Sequence, residues 1–289
     1  NIMPSQTASF LLLDFLVYCL IAVAIAMPLY HFVRKSSPDL GWNYHGTVPT
    51  THLGPLDILG VSVALILPML NIILAPFMPR ELMEKAASEP GLSTIIANVI
   101  SQFFFAGVVV LFIVFRANIL DVFGLRHANW KRIAIAIAGG LACIYVVAPI
   151  VGYFAGLLLE KIGEGTQPQV AVQMILDAKK NNPTLLVGLA IMACVVAPIC
   201  EEILFRGYLY GLLKRYSCRF FAALISGLIF GLIHASLTSL APLVVVGIIL
   251  AIIYEFSGSL WAPIITHSIF NTVNVMAMIF FVNEADLPY

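Results

Sequence analysis

The sequence predicts an all-α fold: a polytopic integral membrane helix bundle with about eight transmembrane helices and further interfacial helices. Two observations carry this. Of 289 residues, 61% are hydrophobic and only 10% charged, with a mean hydropathy of +1.00, far from the composition of a soluble domain. The apolar residues also gather into runs of roughly 20, the length that crosses a hydrocarbon core of about 30 Å.

The runs fall at 8–33, 56–78, 94–115, 133–158, 185–213, 219–236, 239–257 and 260–283. The first is too long for the apolar part of a signal peptide and no basic residue precedes it, so it is expected to be a retained span. Between the first two runs, "SSPDLGWNYHGTVPTTHLGP" is a polar loop punctuated by Pro and Gly. The stretch "RANILDVFGLRHANWKR" sets Arg116, Arg126, Lys131 and Arg132 around Trp130, a pattern that suits a segment at the membrane interface. "LEKIGEGTQPQVAVQMILDAKKNN" starts polar and then turns helical in period from about Val170 to Lys180, which predicts an extramembrane or interfacial helix. No internal repeat, low-complexity tract or separate soluble domain interrupts the pattern.

Lys and Arg are more numerous in the odd-numbered loops (Arg34, Lys35, Arg116, Arg126, Lys131, Arg132, Lys214, Arg215, Arg219) than in the even-numbered ones (Arg80, Lys85, Lys161, Lys179, Lys180). Odd loops are therefore expected in the cytoplasm and both termini outside. The 15 basic and 15 acidic residues balance, leaving no large basic face, so no nucleic-acid partner is expected. Cys19, Cys143, Cys194, Cys200 and Cys218 show no CxxC spacing and lie mostly in apolar runs, where they read as buried, inert thiols.

The fifth run ends in "CEEILFRGYL", and a charge deep in a membrane helix costs at least a few kcal/mol on insertion scales. On a helix turning about 100° per residue, Glu202 and Arg206 share a face and can pair, whereas Glu201 points elsewhere and is left as a candidate general base. Two later runs supply polar partners. "FGLIHAS" places Phe230 and His234 at i, i+4 near the middle of an apolar helix, and "THSIFNTVN" places His267 and Asn271 at i, i+4 on another. One intramembrane His or Asn alone reads as a hydrogen-bonding bridge between helices. Together Glu201, His234, His267 and Asn271 are expected to avoid lipid by converging on one cavity.

There, Glu201 and His234 could hold and deprotonate a water while His267 and Asn271 donate to the oxyanion of a tetrahedral intermediate, which is peptide hydrolysis without a covalent intermediate. The same Glu201, His234 and His267 could alternatively ligate zinc, although neither HExxH nor HxxEH is present. A catalytically silent scaffold and a proton pathway or transporter are the other classes that intramembrane Glu and His allow. GxSG and GxGD are absent, so Asp14 and Asp57 read as helix-end or packing residues. Glu255 reads as a support for the last loop, and Tyr254 and Trp261 as interface anchors.

The ordered set Glu201-Glu202-x-x-x-Arg206, Phe230-x-x-x-His234 and His267-x-x-x-Asn271 resembles the CAAX-protease and bacteriocin-processing family of intramembrane glutamate endopeptidases, which includes the Ras-converting CAAX endoproteases. "YEFSGSLWAPIITHSIFN" resembles that family's final motif and "FGLRHANWK" its upstream interfacial segment, so the likeness covers roughly 118–275. It implies a multi-helix fold whose water-filled cavity opens towards cytoplasm and lipid. It also implies Glu201 as the water-activating base, His234 as its partner, and His267 with Asn271 at the oxyanion, with Glu202, Arg206 and Phe230 supporting the site. The expected division is an N-terminal transmembrane region at 1–117 and a protease core at 118–283. The expected partners are a membrane-associated or lipid-modified peptide or protein and the bilayer itself. The compact chain points to a prokaryotic cytoplasmic membrane.

Overall fold

The computed structural model describes residues 46–74, 92–126, 128–161 and 170–282, and every regular element among them is helical. In chain order these are α1 (Pro55–Leu74), α2 (Leu92–Val114), the short α3 (Ile119–Val122), α4 (Trp130–Lys161), α5 (Val170–Asn181), α6 (Pro183–Tyr216), α7 (Arg219–Leu232), α8 (Leu237–Ser257) and α9 (Trp261–Phe281). Five of them, α2, α4, α6, α8 and α9, are long and apolar enough to cross a membrane. The run at 56–78 appears as α1 and the run at 219–236 as the shorter apolar helix α7, and the run at 8–33 lies outside the described residues.

Local chemistry sets the ends of these helices. Asn182 caps α6 by accepting from the Leu185 amide at 3.0 Å, and Pro183 follows with no N–H to satisfy. Gly258, at φ +69°, ends α8 in the left-handed region and returns its N–H to the Tyr254 carbonyl at 2.8 Å. The outer faces keep large side chains such as Phe103 (61% exposed), Phe154 (64%) and Phe280 (66%) uncovered, an arrangement that lipid tolerates and water does not. The molecule is a multi-pass membrane protein.

Three apolar clusters hold the bundle. The largest packs Phe205, Tyr208 and Leu212 of α6 against Val109 and Ile113 of α2, Phe230 of α7 and Tyr254 of α8. A second joins α4, α8 and α9 through Ile144, Leu250 and Ala262. The third docks Met174, Ile175 and Ala178 of α5 on Leu185, Leu189 and Val275. Helix α5 covers the stretch where the periodicity predicts a helix and packs against the bundle, with Lys179 donating to the Val282 carbonyl at 3.1 Å beyond the end of α9.

Helices α7 and α8 approach unusually closely, because a side chain at Gly247 would fall 2.7 Å from the Gly227 Cα. That approach brings the Gly247 carbonyl into the core, where α6 uses it. Helix α6 carries two π-helical stretches, Met192–Val196 and Ile203–Tyr210, on either side of the Glu201–Glu202 pair. Such insertions rotate the following residues and loosen carbonyls from the i→i−4 ladder, and they recur at functional sites.

Several expectations need correction. Tyr254 is no interface anchor: it is 1% exposed, its ring 6.3 Å from that of Tyr210. Trp261 does sit at a surface, against Trp130 at 6.5 Å. Cys143 is exposed, not buried. Helix α7 stops at Leu232, so His234 stands in the turn beyond the helix and not at its middle.

Asp57 and Glu255 are both structural knots. Asp57 is fully buried at the start of α1, accepting from the Gly54 amide at 2.6 Å, from Tyr208 Oη at 2.7 Å and from Arg116, which ties α1, α2 and α6 together. Glu255 takes Lys214 Nζ and Tyr210 Oη at 2.8 Å each and the Thr47 amide at 2.7 Å. It therefore clamps the loop before α1 to α6 and α8.

Candidate active site

Glu201, His234, His267 and Asn271 all line one cavity of about 740 Å³ between α2, α5, α6, α7, α8 and α9. The helix places its two carboxylates in opposite surroundings. Glu202 is 0% exposed, and its Oε1 accepts from Arg206 Nη1 at 2.8 Å and from His267 Nδ1 at 2.9 Å. Glu201, about 100° further round, is partly buried and faces the cavity.

Arg206 is also fully buried. It donates through Nη2 to the Gly247 carbonyl at 3.0 Å, and its Cζ lies 4.6 Å from the centroid of the Phe230 ring. Phe230 is the hub of the site: its ring is 4.8 Å from that of His234 and 5.7 Å from that of His267, edge-on to the latter. A flat apolar ring thereby holds a cation on one side and spaces two imidazoles. Glu202 Oε2 and Arg206 Nε remain buried without a protein partner, so this ion pair is held by geometry at some cost in unmet hydrogen bonding.

Hydrogen bonds fix the imidazole tautomers. His234 Nδ1 lies 2.7 Å from the Phe230 carbonyl, which only accepts, so Nδ1 carries a proton and Nε2 of the neutral ring is an acceptor. The i, i+4 relation between Phe230 and His234 is thus partly a contact from side chain to backbone that caps the frayed end of α7. The residue after it, Ala235, has φ +49°, a left-handed conformation costly for a side chain and maintained here beside the cavity. Asn271 Nδ2 donates to the Ala193 carbonyl at 2.8 Å, inside the first π-helical stretch of α6. One N–H of the amide is spent there and the second is left over.

Helical spacing gives Glu201 no hydrogen-bonding partner on its own helix, and the structure supplies one from α2. Gln102 of α2 donates through Nε2 to Glu201 Oε1 at 3.2 Å, and with Asn98 and Ser101 it lines the cavity. The signal was available in "ANVISQFFF", polar side chains at i, i+3 and i+4 within an apolar run. The alternative zinc set does not form: among the described residues no three His, Cys, Asp or Glu side chains converge as ligands.

The match to the Rce1-like type II CAAX prenyl endopeptidase family covers residues 183–273, which contain Glu201, Glu202, Arg206, Phe230, His234, His267 and Asn271. The chain is also similar to the Bacillus subtilis (strain 168) protein named "Putative membrane peptidase YdiL", at 30% identity over 173 residues, spanning 60% of this chain and 68% of that one. The chain belongs to the Rce1-like CAAX endopeptidase family. It is a CAAX prenyl endopeptidase-like membrane peptidase, and the class of its substrate is protein or peptide. No solved structure matches it significantly. Gln102 lies outside the residues matched by the family, on a helix that nonetheless completes the wall of the cavity.

Proposed function

We propose that this peptidase hydrolyses a peptide bond in a membrane-associated or lipid-modified protein by means of a water activated by Glu201. The observation that supports this reading best is the shared cavity, into which three separate helical segments bring Glu201, His234, His267 and Asn271. Glu201 takes one proton from water as the oxygen attacks the carbonyl carbon, while His234 Nε2 accepts a hydrogen bond from the O–H that stays on that oxygen. The protonated Glu201 then gives its proton to the departing amine as the C–N bond breaks. The remaining N–H of Asn271 and the Nε2 edge of His267 are suited to the oxyanion. The Glu202 carboxylate, 2.9 Å from Nδ1, holds the His267 ring in place for that role.

The catalytic core is placed at 118–283, with α2 of the 1–117 region adding Gln102 to the wall. The fold is read as about eight spans in a cytoplasmic membrane, of which the described helices supply seven segments. The lining is mostly apolar, with side chains such as Met174, Ile175, Val246 and Met278, and suits a hydrophobic peptide or a lipid-modified one.

The test is cleavage of a quenched-fluorescence peptide library by detergent-purified wild type, by Glu201→Gln, and by wild type treated with a strong chelator. Cleavage lost in Glu201→Gln and retained after chelation supports the reading. Cleavage retained by Glu201→Gln, or abolished by the chelator and restored by zinc, overturns it.

A further inference from the structure

The cavity wall contributed by α9 holds one amide that the proposed chemistry does not use. His267, Asn271, Asn274, Val275 and Met278 all line the cavity, a spacing that keeps them on one face of the helix, while Ile269, Val273, Met276 and Phe280 stand exposed on the other. Asn274 is partly buried, yet its side chain bonds nothing among the described residues, and neither its oxygen nor its nitrogen is shut off from a molecule the size of water. The remaining polar side chains of the cavity differ. Ser101 donates to the Ala97 carbonyl at 2.9 Å, Gln102 donates to Glu201 at 3.2 Å, Ser239 is bonded to Ser236 at 3.2 Å, and Asn271 donates to the Ala193 carbonyl at 2.8 Å. Asn98 is also unbonded but is exposed, so the cavity is not the one place where its amide can be met. Asn274 therefore offers both an acceptor and a donor to whatever enters beside Asn271.

What enters is narrowed by the surroundings, taking Glu201 as the base and Asn271 with His267 at the oxyanion, as proposed above. Val275 packs with Met174 and Ile175 of α5, and Met278 follows one turn along α9, so this stretch of the cavity suits apolar side chains. An apolar peptide still carries a main-chain N–H and C=O at each residue, and these are costly to leave unbonded among apolar groups at membrane depth. In an extended chain the N–H and C=O of one residue point to the same side and those of its neighbours to the other. Same-side pairs thus recur every second residue, about 6.8 Å apart. Asn271 and Asn274 stand at i, i+3, with Cβ atoms about 5–6 Å apart, close to that repeat. We propose that Asn274 clamps the substrate's main chain. Its Oδ1 accepts the N–H, and its Nδ2 donates to the C=O, of the residue two positions from the one whose carbonyl is attacked.

Asn274→Leu and Asn274→Ala each remove the donor and the acceptor and leave the proposed base and oxyanion groups in place; where the Leu side chain is too large, Ala carries the comparison. Because the wild-type amide bonds nothing among the described residues, the variants should unfold in mixed micelles at the SDS fraction of wild type or above it, whereas an amide that joins helices would lower it when removed. For the best-cleaved library peptide, kcat/KM should fall about 10–30-fold, the loss of two neutral hydrogen bonds, with most of the fall in KM and kcat within a few-fold. The decisive arm uses analogues of that peptide in which single amides are replaced by esters, removing one N–H at a time. Wild type should lose about fivefold when the ester falls two residues from the attacked one, and the Asn274 variants should be indifferent there while matching wild type at the other positions. Wild-type kcat/KM in both variants, equal responses of variants and wild type across the whole ester series, or a lower unfolding fraction in both variants overturns the proposal. If Glu201→Gln is inactive in the same assay, such a result removes the role of Asn274 alone; if Glu201→Gln is active, the base assignment falls with it.

Discussion

Replacing Glu202 with Ala should destabilise the fold as well as the site, and its size can be worked from the contacts. Glu202 and Arg206 side chains are both 0% exposed and 2.8 Å apart. The guanidinium also meets the Gly247 carbonyl at 3.0 Å and the rings of Phe230 and Phe205 at 4.6 and 5.7 Å. These persist in the variant, so they offset nothing. What is lost is the only anion bonded to a buried cation, and breaking a buried pair from one side costs about 3–5 kcal/mol. The unfolded chain in a micelle also finds partners for its polar groups, which draws the expectation to the lower half of that range, about 3 kcal/mol. Removing the cation as well, in Glu202→Ala with Arg206→Met, should return about half of the loss, because no stranded charge remains.

The assay is reversible unfolding in mixed micelles by SDS titration, followed by tryptophan fluorescence, for wild type, both single variants and the double variant. Wild-type stability of Glu202→Ala, or additive losses in the double variant, would refute the reasoning. Activity gives a second readout. The double variant should stay folded yet cleave about 10–100-fold more slowly, since His267 Nδ1 has lost the carboxylate 2.9 Å away that orients the ring.

Three further outcomes are expected. Ala235→Gly should stabilise the protein by about 1 kcal/mol by relieving the φ of +49°, while lowering turnover because the turn holding His234 loosens; unfolding midpoints and kcat check the two halves. His52, outside the spans, has its pKa pushed down to about 4, first by burial and then by Arg116 and Arg215 against the opposing pull of Asp57. Its protonation therefore favours the unfolded chain, and stability falls as pH drops from 6.5 towards 4 and levels below. After discounting for partial exposure, His52→Leu should lose about 1–2 kcal/mol less than wild type between pH 7 and 4.5, and identical losses would exclude this origin. Lys214→Met should cost about 2–3 kcal/mol, less than a fully stranded charge, because Tyr210 and the Thr47 amide still bond Glu255; limited proteolysis at the loop preceding α1 should accelerate in parallel.

The parts of the site that a straight helical period governs were readable from the sequence. Glu202 meets Arg206 because four residues bring two side chains onto one face, and the inward turn of Glu201, His234, His267 and Asn271 follows from the cost of polar groups in lipid. What escaped depends on breaks in that period or on distant partners. The early end of α7, which puts His234 in a turn, rests on a left-handed alanine, and nothing in "FGLIHAS" marks that residue. The burial of Tyr254 depends on Tyr210 sitting opposite, 44 positions earlier in the chain. Gln102 was legible on the same ground, since Asn98, Ser101 and Gln102 share one face of an apolar run and the cost of polar groups in lipid turns that face inward.

Adjacent carboxylates solve a problem that a single one cannot. A base in a membrane cavity must face the reacting water, yet its helix must be pinned firmly enough to hold it there. One residue of helix is about 100° of rotation, so Glu201 and Glu202 look into different compartments while sharing a backbone. Glu202 spends its charge on Arg206 and His267, tying α6 to α8 through the Gly247 carbonyl and to α9 through the imidazole. The same ties hold Glu201 at the cavity wall, with Gln102 of α2 against its side chain from the opposite direction. The π-helical stretches flanking the pair give α6 the freedom to satisfy both, and Asn271 closes on a carbonyl within the first of them. With Glu201 as the proposed base, stability and chemistry meet in one turn of helix, and substitution at Glu202 should be felt first in unfolding and substitution at Glu201 first in turnover.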